Sequence, residues 1–447
     1  MVQQRMQLAT LKPFIRSLAG FLPIVLPADW QLLTLADFPE SPSPIDVYAQ
    51  AMEALQSPHG TATLDNLLTP DHTVCILIED LTRTSPKKII LGVILDLLRQ
   101  RGIPVANISI VIALGTHRPL SRLELAETFG EETVTEYAFV NHDCHAPDLV
   151  PIGRLASGTE VKINKLATDA DFRIGIGSIF PHPLNGFGGG GKILFPGIAD
   201  FDSIFEHHLH HSFRGRSALG NLAGNEFYDE VTALALAGRL NFIVNSVLNH
   251  NDQLHQVVAG DPILAHQAGA AICRDITARH FQAQSDITII SAFPYSEGPQ
   301  IMKPLAPAGM ITRVGGTIVL CADCRTPLPE SYFAACQSFR SHHGTNLRQA
   351  VLDHFANNRP IMEGAPPELN MSMAQAILAQ NDFNIILVTG DIPSDQVARL
   401  GFHHAANLQE GLLLAAKRHA GPTVNVVPAG GVILPVINET YALAVEN

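Results

Sequence analysis

The chain has 447 residues, 29 Lys and Arg against 42 Asp and Glu, a formal net charge of −13, and 46% hydrophobic against 16% charged residues. That is enough apolar material for more than one packed core, and an acidic balance with scattered cations excludes an electrostatic footprint for nucleic acid or an anionic membrane. The apolar patch at 14–26 is broken by Arg16 and Pro23, no small-residue cleavage site follows, and no run approaches the roughly 18 apolar residues of a membrane span, so a soluble cytoplasmic protein is expected.

From residue 70 short β-branched runs alternate with longer amphipathic ones. The spacing predicts a strand over 73–78, a helix over 87–101 with Leu91, Ile94, Leu95 and Leu98 on one face, and a strand over 108–114. A strand, a helix and a strand joined through Gly102-Ile103-Pro104 make a βαβ unit and therefore a parallel sheet. Strands are predicted again over 172–176, 287–291, 317–321 and 384–388, with helices over 224–238 and 374–380. The polar stretch 249–262, with Asn-Asp and Gly-Asp-Pro, reads as a turn-rich connection. The expected fold class is α/β, two domains with mostly parallel sheets flanked by helices and an active site in the cleft between them. The domain boundary is placed within 265–285, giving a cofactor-binding domain over 1–270, rejoined by the tail 423–447, and a substrate-clamping domain over 271–422.

Ligands of an open parallel sheet collect at the carboxyl ends of its strands, which directs attention to the residues just after each apolar run. The first run ends in Glu79-Asp80-Leu81-Thr82-Arg83-Thr84-Ser85, which offers carboxylates, hydroxyls and a guanidinium, or simply a helix cap. The second ends in Gly115-Thr116-His117-Arg118 and the third in Phe180-Pro181-His182. Then comes Gly186-Phe187-Gly188-Gly189-Gly190-Gly191-Lys192-Ile193, close to a phosphate-binding loop except that Ile193 stands where a magnesium-ligating Ser or Thr belongs. Nucleoside triphosphate hydrolysis is thereby disfavoured, while the glycines still admit a phosphate or a flat cofactor beside Lys192. Fourteen residues past Lys192, Glu206-His207-His208-Leu209-His210-His211 can set two imidazoles on one helix face, suited to nickel or zinc or to plain solvation. Gln300 and Lys303 are three apart, share a face on a helical turn, and together can hold a carboxylate. Cys321 and Cys324 form a lone C-x-x-C with no second pair at zinc-site spacing, and six cysteines are too few for a disulfide scaffold. Reduced thiols are expected there.

In this order, Asp80-Leu-Thr-Arg83, Gly115-Thr-His117-Arg118, Pro181-His182, the glycine loop with Lys192, the histidines near 208, and Gln300 with Lys303 resemble the lactate racemase family that uses a nickel-pincer nucleotide. The similarity runs from about residue 45 to 310 and more loosely beyond. It implies nickel bound to a pyridinium-3,5-bisthiocarboxylic acid mononucleotide that is attached covalently to Lys192 and supplied by cofactor-biosynthesis enzymes. It implies His208 as the protein's nickel ligand, with His207 as competitor, and His117 and His182 as acid and base. Arg83, Gln300 and Lys303 would hold the substrate, and Asp80, Thr82 and the loop Gly188, Gly189, Gly190 and Gly191 would lie by the nucleotide. The implied reaction inverts C2 of a small 2-hydroxy acid, a racemase or epimerase reaction, through reversible hydride transfer and a planar 2-keto acid. Against it stand a zinc-dependent hydrolase or lyase built on His207 to His211, and a non-catalytic cofactor carrier. Which hydroxy acid is turned over, and whether the chain is a homo-oligomer, are left open by the sequence.

Overall fold

A computed structural model describes residues 12–38, 45–82, 84–251 and 253–437. The chain divides into two compact units, one of residues 41–276 and one of 277–447 together with 1–40.

The 41–276 unit is built on a six-stranded sheet whose order is Leu254–Gly260, Phe242–Leu248, Phe172–Ile179, Val74–Glu79, Ile108–Ala113 and Ala138–Asn141. Every pairing is parallel except that of the edge strand Leu254–Gly260. All eight residues of Phe172–Ile179 and the first five of Val74–Glu79 are buried, which is why these strands read as continuous apolar runs, the mark of a sheet covered on both faces. Helix Lys87–Gln100 follows the second of them and buries Ile90, Leu91, Ile94, Leu95 and Leu98 in the core that Ile76, Ile78, Ile110 and Ile112 also enter. The predicted βαβ unit is therefore present, with helix and strand ends within a residue or so of the spacing. The 249–262 stretch differs from expectation. Its turns lie at the two ends: Asn249 Oδ1 accepts the N–H of Asn251 at 2.8 Å and of Gln253 at 3.1 Å, and Asp261 Oδ1 accepts that of Ile263 at 2.9 Å. The remainder is the edge strand, in which only Val257 to Gly260 are buried, so the alternation that announces a strand is absent from its first half.

The second unit carries a six-stranded, all-parallel sheet of order His403–Ala405, Asn384–Val388, Thr312–Cys321, Ser285–Ser291, Thr423–Val427 and Gln31–Leu35. Here the tail departs from the sequence reading. Thr423–Val427 does not return to the first sheet but pairs with Ser285–Ser291, and Val424 and Val426 share a core with Ile287, Ile289 and Val319. Asp286 Oδ2 fixes the register by accepting from Thr423 N at 2.7 Å and Thr423 Oγ1 at 2.9 Å. The N-terminal strand Gln31–Leu35 likewise lies in this sheet rather than the first. Short strand Leu434–Ile437 pairs with Ala278–Phe281.

Candidate active site

Three parallel strands deliver the chemistry of the 41–276 unit from their carboxyl ends. Val74–Glu79 leads into Asp80, whose Oδ1 accepts Thr82 N at 3.0 Å and Thr82 Oγ1 at 2.5 Å, and whose Oδ2 lies 2.6 Å from His117 Nδ1. Lys87 Nζ donates to the Asp80 carbonyl. Asp80 is therefore the orienting partner of His117: a carboxylate accepts, so the Nδ1 of the neutral ring carries the proton and Nε2 carries the lone pair. With 35% of its side chain exposed, His117 can still meet a ligand. The neighbouring Glu79 ties the loops together. Its Oε1 accepts Ser85 Oγ, and its Oε2 accepts Ser178 N and Ser178 Oγ, both at 2.9 Å.

His182, past the end of Phe172–Ile179, is held in the opposite sense. Its Nδ1 accepts the backbone N–H of Leu184 at 3.2 Å and of Asn185 at 3.1 Å, so the proton of the neutral ring sits on Nε2. The two imidazoles that look interchangeable in the sequence are thus set in different tautomers by their neighbours.

The glycine loop is pinned from below. Asn245 Oδ1 accepts Gly190 N at 2.8 Å, and His266 Nε2 lies 2.9 Å from the Gly188 carbonyl. At Gly190, where φ is +59°, a Cβ would fall 2.6 Å from His266 Cγ, and at Gly188 it would fall 2.5 Å from Phe180 Cε1. Close packing requires glycine at both positions, and at Gly190 a left-handed backbone does so as well, quite apart from any ligand. Lys192 emerges half-buried, with Nζ 5.3 Å from the Phe227 ring centroid.

Helix Phe201–His211, capped by Asp200 Oδ2 accepting Ser203 N at 3.0 Å, carries the histidine cluster. His208 donates from Nδ1 to the Ile204 carbonyl at 2.9 Å, which leaves Nε2 as the coordinating atom, the arrangement that metal-binding histidines commonly show. Burial pushes its pKa down to about 3, and Lys192 adds to the effect, so the ring is a neutral donor at ordinary pH. His207 is buried completely and its Nε2 faces Glu230 Oε2 at 3.7 Å. Buried Phe227, on helix Glu226–Ala237, gathers this side of the site: its ring centroid is 4.3 Å from that of His207, 5.1 Å from His208 and 6.4 Å from His182.

The structure brings Asp80, Thr82, His117, His182, Lys192 and His208 to one end of one sheet. Arg83 lies outside the described residues. Gln300 and Lys303 belong to the other unit, where Lys303 Nζ donates to Gln300 Oε1 at 3.0 Å and lies 4.8 Å from the Tyr295 ring centroid, so the expected shared face is real. Cys321 and Cys324 are free and buried, and burial pushes the Cys324 thiol up to about 11. Sequence reasoning missed Phe227, Asn245 and His266. The signal available for Asn245 was a polar residue in the middle of the apolar run Phe242–Leu248.

A family model described as the lactate racemase N-terminal domain matches residues 22–220. The lactate racemase of Thermoanaerobacterium thermosaccharolyticum is 32% identical, over 84% of this chain and 88% of that protein. The lactate racemase of Lactiplantibacillus plantarum is 29% identical, over 86% and 89%. Among solved structures, the lactate racemase apoprotein from T. thermosaccharolyticum superposes with a TM-score of 0.84 at 26% identity, covering 95% of this chain and all of that one. A Thermotoga maritima protein at 18% identity and a TM-score of 0.66 shares the fold.

Proposed function

From the premise that the chain belongs to the lactate racemase family, whose enzymes are isomerases, we propose that it inverts C2 of a small 2-hydroxy acid by means of a lysine-tethered nickel-pincer nucleotide. The observation that carries the reading is the set of opposed imidazole tautomers at one sheet end beside a half-buried lysine and a neutral, metal-competent histidine.

The residues fit the cofactor on their own chemistry. His208 presents a deprotonated Nε2 while its Nδ1–H is fixed, as a nickel ligand requires. Lys192 supplies the amine for the covalent tether. When bound, the group contributes a reversible two-electron acceptor for the hydrogen on C2.

The remaining work falls to the side chains. His117, with Asp80 on Nδ1, takes the substrate hydroxyl proton at Nε2, and the adjacent carboxylate stabilises the imidazolium that results. His182 faces the oxygen of the opposite hand with Nε2 as the proton-bearing atom. A substrate carboxylate needs charge-assisted donors that hold while the keto group turns, the role given to Arg83 and Lys303 with Gln300 beside them. The protein is taken to act in the cytoplasm.

The experiment compares protein made with and without the cofactor-biosynthesis enzymes, by intact mass and by chiral analysis of single-enantiomer lactate and other short 2-hydroxy acids. Expected is a mass increment on Lys192 and racemisation only in the first sample. Robust racemisation by metal-free, unmodified protein would sink the proposal.

A further inference from the structure

One side of the histidine-bearing helix has no part in the reading above. His207 and His211, one helical turn apart, meet Glu230 of the next helix, and their three candidate ligand atoms lie within 4.8 Å of one another. His211 Nε2 is 2.8 Å from Glu230 Oε2 and His207 Nε2 is 3.7 Å from the same oxygen. Donors bound tetrahedrally at about 2.0–2.1 Å sit roughly 3.3 Å apart, a separation these two distances bracket.

His207 is the independent observation. It is fully buried, and neither ring nitrogen has a hydrogen-bond partner among the described residues. A buried polar atom left unsatisfied is destabilising, so an imidazole placed there with its Nε2 turned toward a carboxylate calls for an occupant. Burial alone would raise the Glu230 pKa, but hydrogen bonds from His211 and from Ala156 N outweigh it and keep the carboxylate charged. Two imidazoles with a carboxylate are a donor set that suits a borderline divalent ion. Glu230 and His211 retain 14% and 9% side-chain exposure, which leaves a way in from solvent.

We propose that His207, His211 and Glu230 form a second divalent-cation site of the zinc, cobalt or nickel class, separate from His208. The ion clamps helix Phe201–His211 to helix Glu226–Ala237 and so steadies both His208 and Phe227. Its role is structural, because the ligand at its centre is buried completely. This inference stands independently of the pincer-nucleotide reading.

The test uses full-length protein made without the cofactor-biosynthesis enzymes, stripped with chelator and titrated with zinc chloride by calorimetry, with cobalt chloride for visible spectra. One zinc per chain is expected, with a rise in melting temperature and cobalt d–d bands of a low-coordinate site. His208→Ala should bind as the parent does, while Glu230→Gln and His211→Asn should each weaken binding at least tenfold. Two variants are used because Glu230 also accepts Ala156 N, and either one that remains folded by circular dichroism decides. Absence of stoichiometric binding in the parent overturns the proposal, as does zinc binding that disappears in His208→Ala and survives in His211→Asn or Glu230→Gln.

Discussion

The reach of single atoms is clearest at Asp80. Its Oδ2 selects the His117 tautomer from 2.6 Å, and an amide in its place can turn its NH2 toward Nδ1 and move the ring proton to Nε2, where a base is needed. Asp80→Asn should therefore cost about 10²–10⁴ in turnover with the fold intact, and the cofactor mass on Lys192 should be unchanged. Chiral assay beside intact mass checks this, and near-normal turnover would show that the carboxylate does not govern His117. The two lysines should fail differently. Lys192→Ala should abolish the covalent adduct, whereas Lys303→Ala should keep the adduct and raise KM or lower kcat/KM by about 1.5–3 kcal/mol, the worth of one charge-assisted contact. An adduct retained in Lys192→Ala would place the tether elsewhere. The positions of His117, His182, Lys192 and His208 in the fold were legible because each follows an apolar run or a glycine loop at a countable distance. The tautomers were not, since they depend on a carboxylate 37 residues away in one case and on the curl of the loop after His182 in the other.

Among the elements, the ones that aim the site are short and locally capped. Asn225 is fully buried at the start of helix Glu226–Ala237: its Oδ1 accepts Tyr228 N at 3.2 Å, and its Nδ2 donates to Leu184 O and Asn221 O, both at 2.8 Å. One side chain thus caps the start of the helix that carries Phe227 and anchors the loop that follows His182. Asn225→Ala removes a cap and strands one buried and one half-buried carbonyl, which should cost about 2 kcal/mol or more. Urea unfolding should show the lower midpoint, and activity in the surviving folded protein should drop as His182 loses its support. A stability change within about 0.5 kcal/mol would mean the cap is redundant. The helices and buried strands themselves could be read from periodicity, as Lys87–Gln100 and Asn384–Val388 illustrate. The edge strand Leu254–Gly260 could not, because its first half is only partly buried and presents no alternating pattern.

For the whole molecule, what escaped the sequence was the company each strand keeps. Nothing local in Thr423–Val427 or Gln31–Leu35 says which sheet will receive it; that choice is made by pairing between parts of the chain far apart in sequence, as in Asp286 with Thr423 and Thr423 with Gln31. Long-range burial also couples the stability of the whole chain to pH. His266, under the glycine loop, has its pKa pushed down to about 4 by burial, against the opposing hydrogen bond to the Gly188 carbonyl and with help from the charge on Lys192. His142, 2.8 Å from the Ala199 carbonyl, is lowered by burial as well. In the unfolded chain both return to the ordinary value of 6.5. Below that pH the unfolded state binds protons that the folded state refuses, so stability is fully present above about 6.5 and is lost as pH falls toward the folded pKa. Each such histidine contributes at most about 1.4 kcal/mol per pH unit in that window. Protein lacking the cofactor should therefore show a urea midpoint that falls steadily from pH 7 to pH 5. In His266→Gln, which keeps a donor toward Gly188 but cannot titrate, the midpoint should start lower and fall less steeply. Unfolding curves at four or five pH values measure the two slopes, and equal slopes in the two proteins would show that His266 takes up its proton as readily folded as unfolded.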